Sequence, residues 1–105
     1  MTRPERLAEA VVDRWMTTHP TWRREGAHLV RALRTVDYPS GVRLVMAQVA
    51  IAEGLNHHPV IRVGYAELNI ELWTHDQGGL TPLDLAYADA FDELVASAFA
   101  DTVLG

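Results

Sequence analysis

Between Glu67 and His75 the chain alternates strictly, with Leu68, Ile70 and Leu72 on one parity and Glu67, Asn69, Glu71 and Trp73 on the other. A period of two is the signature of a strand with one buried face, and no helix can gather those three apolar residues on a single side. Immediately before it lie Val60-Ile61-Arg62-Val63 and the short link Gly64-Tyr65-Ala66. Two such runs joined by a short glycine-containing link predict an antiparallel hairpin. The same parity sends Trp73 and His75 to the face opposite Leu68, Ile70 and Leu72, with His75 at the strand's end.

A hairpin must cover its apolar face, and the rest of the chain supplies the cover. Thr2-Arg3-Pro4-Glu5 reads as a helix cap with a glutamate three residues on, and Leu7, Val11 and Trp15 follow at helical spacing, predicting one amphipathic helix that ends near Met16. Thr17 to Thr21 has the small polar residues and proline of a loop, in which His19 is a solvated residue. From Trp22 to Val36 the segment is rich in β-branched residues and broken at Gly26, which predicts a short strand, a turn and a longer strand, although neither parity is cleanly apolar. Asp37 is a natural cap for a second helix with Pro39 in its first turn; Val42, Val45, Met46, Val49 and Ala52 define its expected core face, and Gly54 its expected stop. Thr81-Pro82-Leu83-Asp84 repeats the cap signature before a last helix carrying Leu83, Tyr87, Phe91, Leu94, Val95 and Ala98.

The order α-β-β-α-β-β-α predicts an α+β fold, a four-stranded antiparallel sheet with three helices packed on one face. At 105 residues and 49% hydrophobic, residues 1–105 form one domain with one core. A formal charge of -5, with arginines dispersed along the chain, argues against nucleic acid as a partner. The lack of cysteine excludes disulfides and thiolate metal sites. No apolar run approaches membrane-spanning length and no apolar block follows the first residues, so the expectation is a soluble, cytoplasmic protein without a membrane partner.

Chemistry concentrates in Glu53-Gly54-Leu55-Asn56-His57-His58-Pro59 and in Thr74-His75-Asp76, which together hold three of the five histidines beside carboxylates. Imidazoles with acidic neighbours can donate and accept protons at neutral pH. Glu53 falls at a helix C-terminus, where the dipole already carries negative charge, so a histidine folded back from the 57–58 pair would find a site that favours a cation. Pro59 biases His58 toward an extended backbone.

Glu53, three residues, His57-His58-Pro59, five residues, Tyr65, nine residues, His75, eight residues, Asp84: this spacing resembles the signature of the pterin-4a-carbinolamine dehydratases. Trp22 ahead of a hairpin and the passage Trp73 to Thr81 stand in the same order as in that family, so the likeness covers most of the chain. The resemblance implies a dehydratase that converts 4a-hydroxytetrahydropterin to quinonoid dihydropterin and water, with the pterin as substrate, no cofactor and no metal, working as a homodimer or homotetramer. It maps the catalytic histidines onto His57, His58 and His75 and a supporting carboxylate onto Glu53, with Trp22, Asn56, Pro59, Thr74 and Asp76 placed to meet substrate. The strand positions where relatives often carry aromatics hold Leu33 and Thr35 here, and the loop after Trp22 is shorter.

Two other functions compete. Three histidines can hold zinc with an open fourth position, although neighbours in extended chain, such as His57 and His58, point to opposite sides. A non-catalytic dimerisation or assembly module could also keep the fold and a silent pocket. On residue type alone Thr81 and Asp84 are helix-capping residues, and Tyr65, Trp22 and Trp73 are suited to packing or to an interface.

Overall fold

The computed structural model describes residues 4–105. Three helices, α1 (Glu9–Thr17), α2 (Tyr38–Leu55) and α3 (Pro82–Ala98), and four strands, β1 (Arg23–Glu25), β2 (His28–Arg34), β3 (Val60–Val63) and β4 (Glu67–Leu72), follow in the order α-β-β-α-β-β-α. The strands form one antiparallel sheet in the order β1-β2-β4-β3. Leu68, Ile70 and Leu72 of β4 and Leu29 and Leu33 of β2 are buried on one face, against Leu44 and Ala52 of α2 and Tyr87, Phe91 and Val95 of α3. The predicted α+β architecture, with the helices on one face, is the one observed.

The mixed parity of β2 has a physical cause. Arg31 lies on the core parity with Leu29 and Leu33 and is buried, its Nη1 donating to Asp92 at 2.6 Å and its guanidinium 5.6 Å from the centre of the Phe91 ring. A buried charge survives only when paired, and Asp92 is the pair. The opposite end of β2 is completed by the C-terminal residues: Leu104 N–H donates to Arg34 O at 2.8 Å and Arg34 N–H to Gly105 O at 3.0 Å.

Four features differ from the sequence expectations. The cap proposed at Thr2 lies outside the described residues, and residues 4–8 are not helical; Leu7 N–H is committed to Leu80 O at 2.7 Å, so α1 begins only at Glu9. Helix α2 buries Gly41, Leu44, Gln48 and Ala52, whereas Met46 and Val49 are 69% and 49% exposed. Apolar residues surround this helix nearly completely, so periodicity could not choose its inner face. Gly54 does not stop α2 either, because the helix runs on to Leu55. Strand β4 ends at Leu72 rather than at His75, since Thr74 turns away to bridge Gly79 and residues His75–Gln77 make a 3₁₀ turn closed by Gly78 at φ 66°.

The starts of α2 and α3 behave as predicted. Asp37 accepts from Ser40 N–H at 2.8 Å, and Thr81 with Asp84 forms a reciprocal capping box at α3, each with proline in the first turn.

Candidate active site

The end of α2 is what places the histidine pair. Asn56 adopts the left-handed conformation (φ 48°, ψ 47°), with its N–H on Glu53 O at 3.2 Å and the next amide, His57 N–H, on Ala52 O at 2.9 Å. These two bonds are those of a Schellman motif, and asparagine is the residue after glycine best able to take that conformation. The reversal turns His57 inward, to 4% exposure, and leaves His58 outside.

Buried His57 meets a fully buried carboxylate. Its Nε2 lies 2.6 Å from Asp84 Oδ1. Asp84 Oδ2 accepts from Thr74 Oγ1 at 2.8 Å and from Thr81 N–H at 2.9 Å, and the two threonine hydroxyls are 2.8 Å apart. Thr74 Oγ1–H and Thr81 N–H both donate to Oδ2, which leaves Oδ1 as the acceptor turned toward the imidazole. The contact holds the ring's orientation, which is one part a carboxylate plays behind an acid/base histidine. Asp84 was expected only as a cap; one oxygen caps α3 while the other holds His57. The signature spacing, which ends at Asp84, was the signal for this second role.

His58 has a carboxylate of its own. Its Nε2 is 2.5 Å from Glu53 Oε2, so a histidine does fold back onto the helix end as the sequence suggests, and it is His58. Both partners are more than half exposed, so this pair is solvated where the His57–Asp84 pair is dry.

A cavity of about 190 Å³ lies between the two segments, lined by His57, His58, Trp73, Thr74, His75 and Asp76. The two stretches singled out in the sequence thus converge, all three expected histidines share one wall system, and Thr74 and Asp76 join them. Glu53 reaches the cavity only through His58. Asn56 serves as the helix-terminating residue, Pro59 is half-buried, and neither lines the cavity. Trp22 is not there either: it is 3% exposed, its Nε1–H on the Asp92 carboxylate at 2.9 Å and its ring edge-on to Phe91. A larger cavity, about 410 Å³, opens at the far end of the sheet beside Arg34, Arg62 and Gly64. It contains no histidine, and the smaller cavity is the one that gathers the three expected histidines.

The other histidines are engaged elsewhere. His19 stacks on Trp15 and reaches Asp89 at 2.7 Å, and His28 stacks on Trp73. Among the described residues no group of three or more His, Cys, Asp or Glu side chains is arranged to hold a metal ion, and no helix is long and apolar enough to cross a membrane.

A small α+β domain holds a histidine pair at a helix end, a third histidine lining the same cavity and a buried aspartate behind one of the pair, and comparison with known proteins gives it a family. Residues 5–94 match the model of the pterin 4 alpha carbinolamine dehydratase family, and the chain belongs to that family. A protein of Chloroflexus aurantiacus named "Putative pterin-4-alpha-carbinolamine dehydratase" is 37% identical over 90 residues, covering 86% of this chain and 97% of that one. One of the same name from Metallosphaera sedula is 36% identical over 89 residues, covering 85% and 93%. Among solved structures, a transcriptional coactivator/pterin dehydratase from Brucella melitensis superposes with a TM-score of 0.81 over 86% of this chain and 98% of that one, at 23% identity, a likeness of fold. A pterin dehydratase-like protein identified as a RuBisCO assembly factor in the alpha-carboxysome gives 0.61 over 74% and 93%, at 25% identity.

Proposed function

We propose that this chain is a hydro-lyase that removes water from 4a-hydroxytetrahydropterin to give quinonoid dihydropterin, in the recycling of a pterin cofactor. The observation that carries the reading is the convergence of His57, His58 and His75 on one cavity, with His57 held by Asp84 and His58 by Glu53, in a chain of this family. Dehydration needs one proton delivered to the departing 4a-hydroxyl and another taken from the ring system. Positioned imidazoles do both, each transfer contributing about 10²- to 10⁴-fold in rate. No metal or cofactor is required for these steps; the exposed Asp76 offers a polar contact to the pterin's edge, while the Thr74 hydroxyl is engaged by Asp84 and Thr81. The reading extends to a cytoplasmic homodimer or homotetramer, and the exposed Met46 and Val49 of α2 supply apolar surface for association.

The test is direct dehydration of enzymically generated 4a-hydroxytetrahydropterin, followed by absorbance against the uncatalysed rate. Acceleration that vanishes in His57→Ala or His75→Ala supports the reading; a folded chain with no acceleration overturns it. That second result would favour an assembly module, the kind of role identified for the carboxysomal neighbour.

A further inference from the structure

Five of the six residues lining the histidine cavity are polar: three histidines, a threonine and an aspartate. Such groups exchange protons and give direction, yet they do little to set the plane of a flat ring. The sixth is Trp73, the one broad apolar surface in the wall. It follows β4 directly and is half-buried.

The indole is itself held. His28, from β2, stacks on it with ring centroids 4.1 Å apart and planes 10° from parallel. His28 Nδ1 is 2.5 Å from Glu71 Oε2, and the other oxygen of Glu71 stands 3.9 Å from Arg62 Nη1. A row of side chains therefore crosses the outer face of the sheet from β3 through β4 to β2 and ends on Trp73. His28 does not line the cavity, so it covers one face of the indole and leaves the remaining surface to the cavity. A ring locked in plane before ligand arrives loses little freedom on binding, which is how a stacking platform gains affinity.

We infer that Trp73 is the platform on which a flat fused heteroaromatic ring stacks beside the histidines, and that His28, held by Glu71, is a positioning residue that fixes the indole's plane. This rests on the dehydratase reading for the identity of the ring, a pterin, and adds the residue that orients it. Stacking of a purine-like bicycle on an aromatic side chain acts equally on ground and transition states, so its loss appears in KM and leaves kcat.

The experiment measures steady-state dehydration and, separately, binding of 7,8-dihydropterin by tryptophan fluorescence in the full chain, with thermal midpoints as a check on folding. Trp73→Ala should raise KM about 10- to 100-fold with kcat within a few-fold of wild type, and Trp73→Phe should restore most of the affinity while removing the quench that arises from Trp73. His28→Ala should raise KM several-fold, and His28→Phe, which restores the stack without the bond to Glu71, should recover it. A folded Trp73→Ala protein with wild-type KM overturns the platform and leaves the dehydratase reading intact. A wild-type chain that binds dihydropterin through Trp73 but does not accelerate dehydration upholds the platform and overturns the catalysis; a chain that does neither overturns both.

Discussion

Asp84 presents one oxygen to His57 Nε2 at 2.6 Å and the other to the Thr81 amide at 2.9 Å, so a single buried carboxylate both starts α3 and aims an imidazole. The two duties separate under mutation. Asp84→Asn keeps an acceptor for the cap but cannot accept from His57 with the same charge; kcat should fall at least about 10²-fold while the protein stays folded. Asp84→Ala strands several buried donors and should cost about 3 kcal/mol or more, read by urea denaturation. An Asp84→Asn enzyme with wild-type kcat would show that the His57 bond is structural alone.

The solvated pair at the end of α2 predicts a different pattern. Glu53→Gln should change stability by less than about 1 kcal/mol, since an exposed ion pair is worth no more than that. His58→Ala should likewise be nearly neutral for stability, yet lower kcat by about 10²-fold or more if it transfers a proton. Full activity in His58→Ala would confine the chemistry to His57 and His75.

Trp22 and Arg31 share the Asp92 carboxylate, which makes Asp92 a packing hub away from the histidine cavity. Asp92→Ala leaves a buried guanidinium without its counter-charge and should cost about 3–5 kcal/mol. Trp22→Phe should lower stability through the lost indole bond without changing KM. A clear rise in KM for Trp22→Phe would return Trp22 to the substrate contacts that the family resemblance suggests.

The residues that were legible in the sequence are those whose neighbours are local. Asp37 and Thr81 cap their helices as read, and the alternation of Leu68, Ile70 and Leu72 fixes both a strand and its buried face. What escaped depends on partners far along the chain. Arg31 looks misplaced until Asp92 is beside it, 61 positions later, and Asp84 looks like a cap until the Schellman turn brings His57 down upon it. The stop at Asn56 instead of Gly54 is a near miss of another kind, because both residue types can take the left-handed conformation and only the closing bond from His57 to Ala52 decides between them.

That stop is itself testable. At φ 48° a β-carbon is disfavoured; glycine has none, and asparagine tolerates the conformation better than other residues. Asn56→Ala should cost about 1 kcal/mol, whereas Asn56→Gly should be neutral or slightly stabilising. If Asn56 serves the helix end rather than the ligand, Asn56→Gly will keep wild-type KM; a raised KM with unchanged stability would place its side chain against substrate.

Tyr87 is expected to contribute to the alkaline limit of the fold. Its ring is fully buried between α3 and α2, and its hydroxyl donates to Gln48 Oε1 at 2.5 Å. Burial pushes the phenol well above its ordinary value, because the phenolate would have to form out of water. In the unfolded chain tyrosine loses its proton near pH 10, while the native protein holds on to it. Above that pH the native state binds more protons than the unfolded state, so stability falls as pH rises and the contribution is complete below about pH 10. Tyr87→Phe removes this dependence and leaves Gln48 without its donor. Denaturation measured between pH 8 and about pH 11 should therefore show the variant less stable at the lower end, by about 1–2 kcal/mol, and with a shallower alkaline decline. Parallel declines for the two proteins would mean that the alkaline limit is set by other groups.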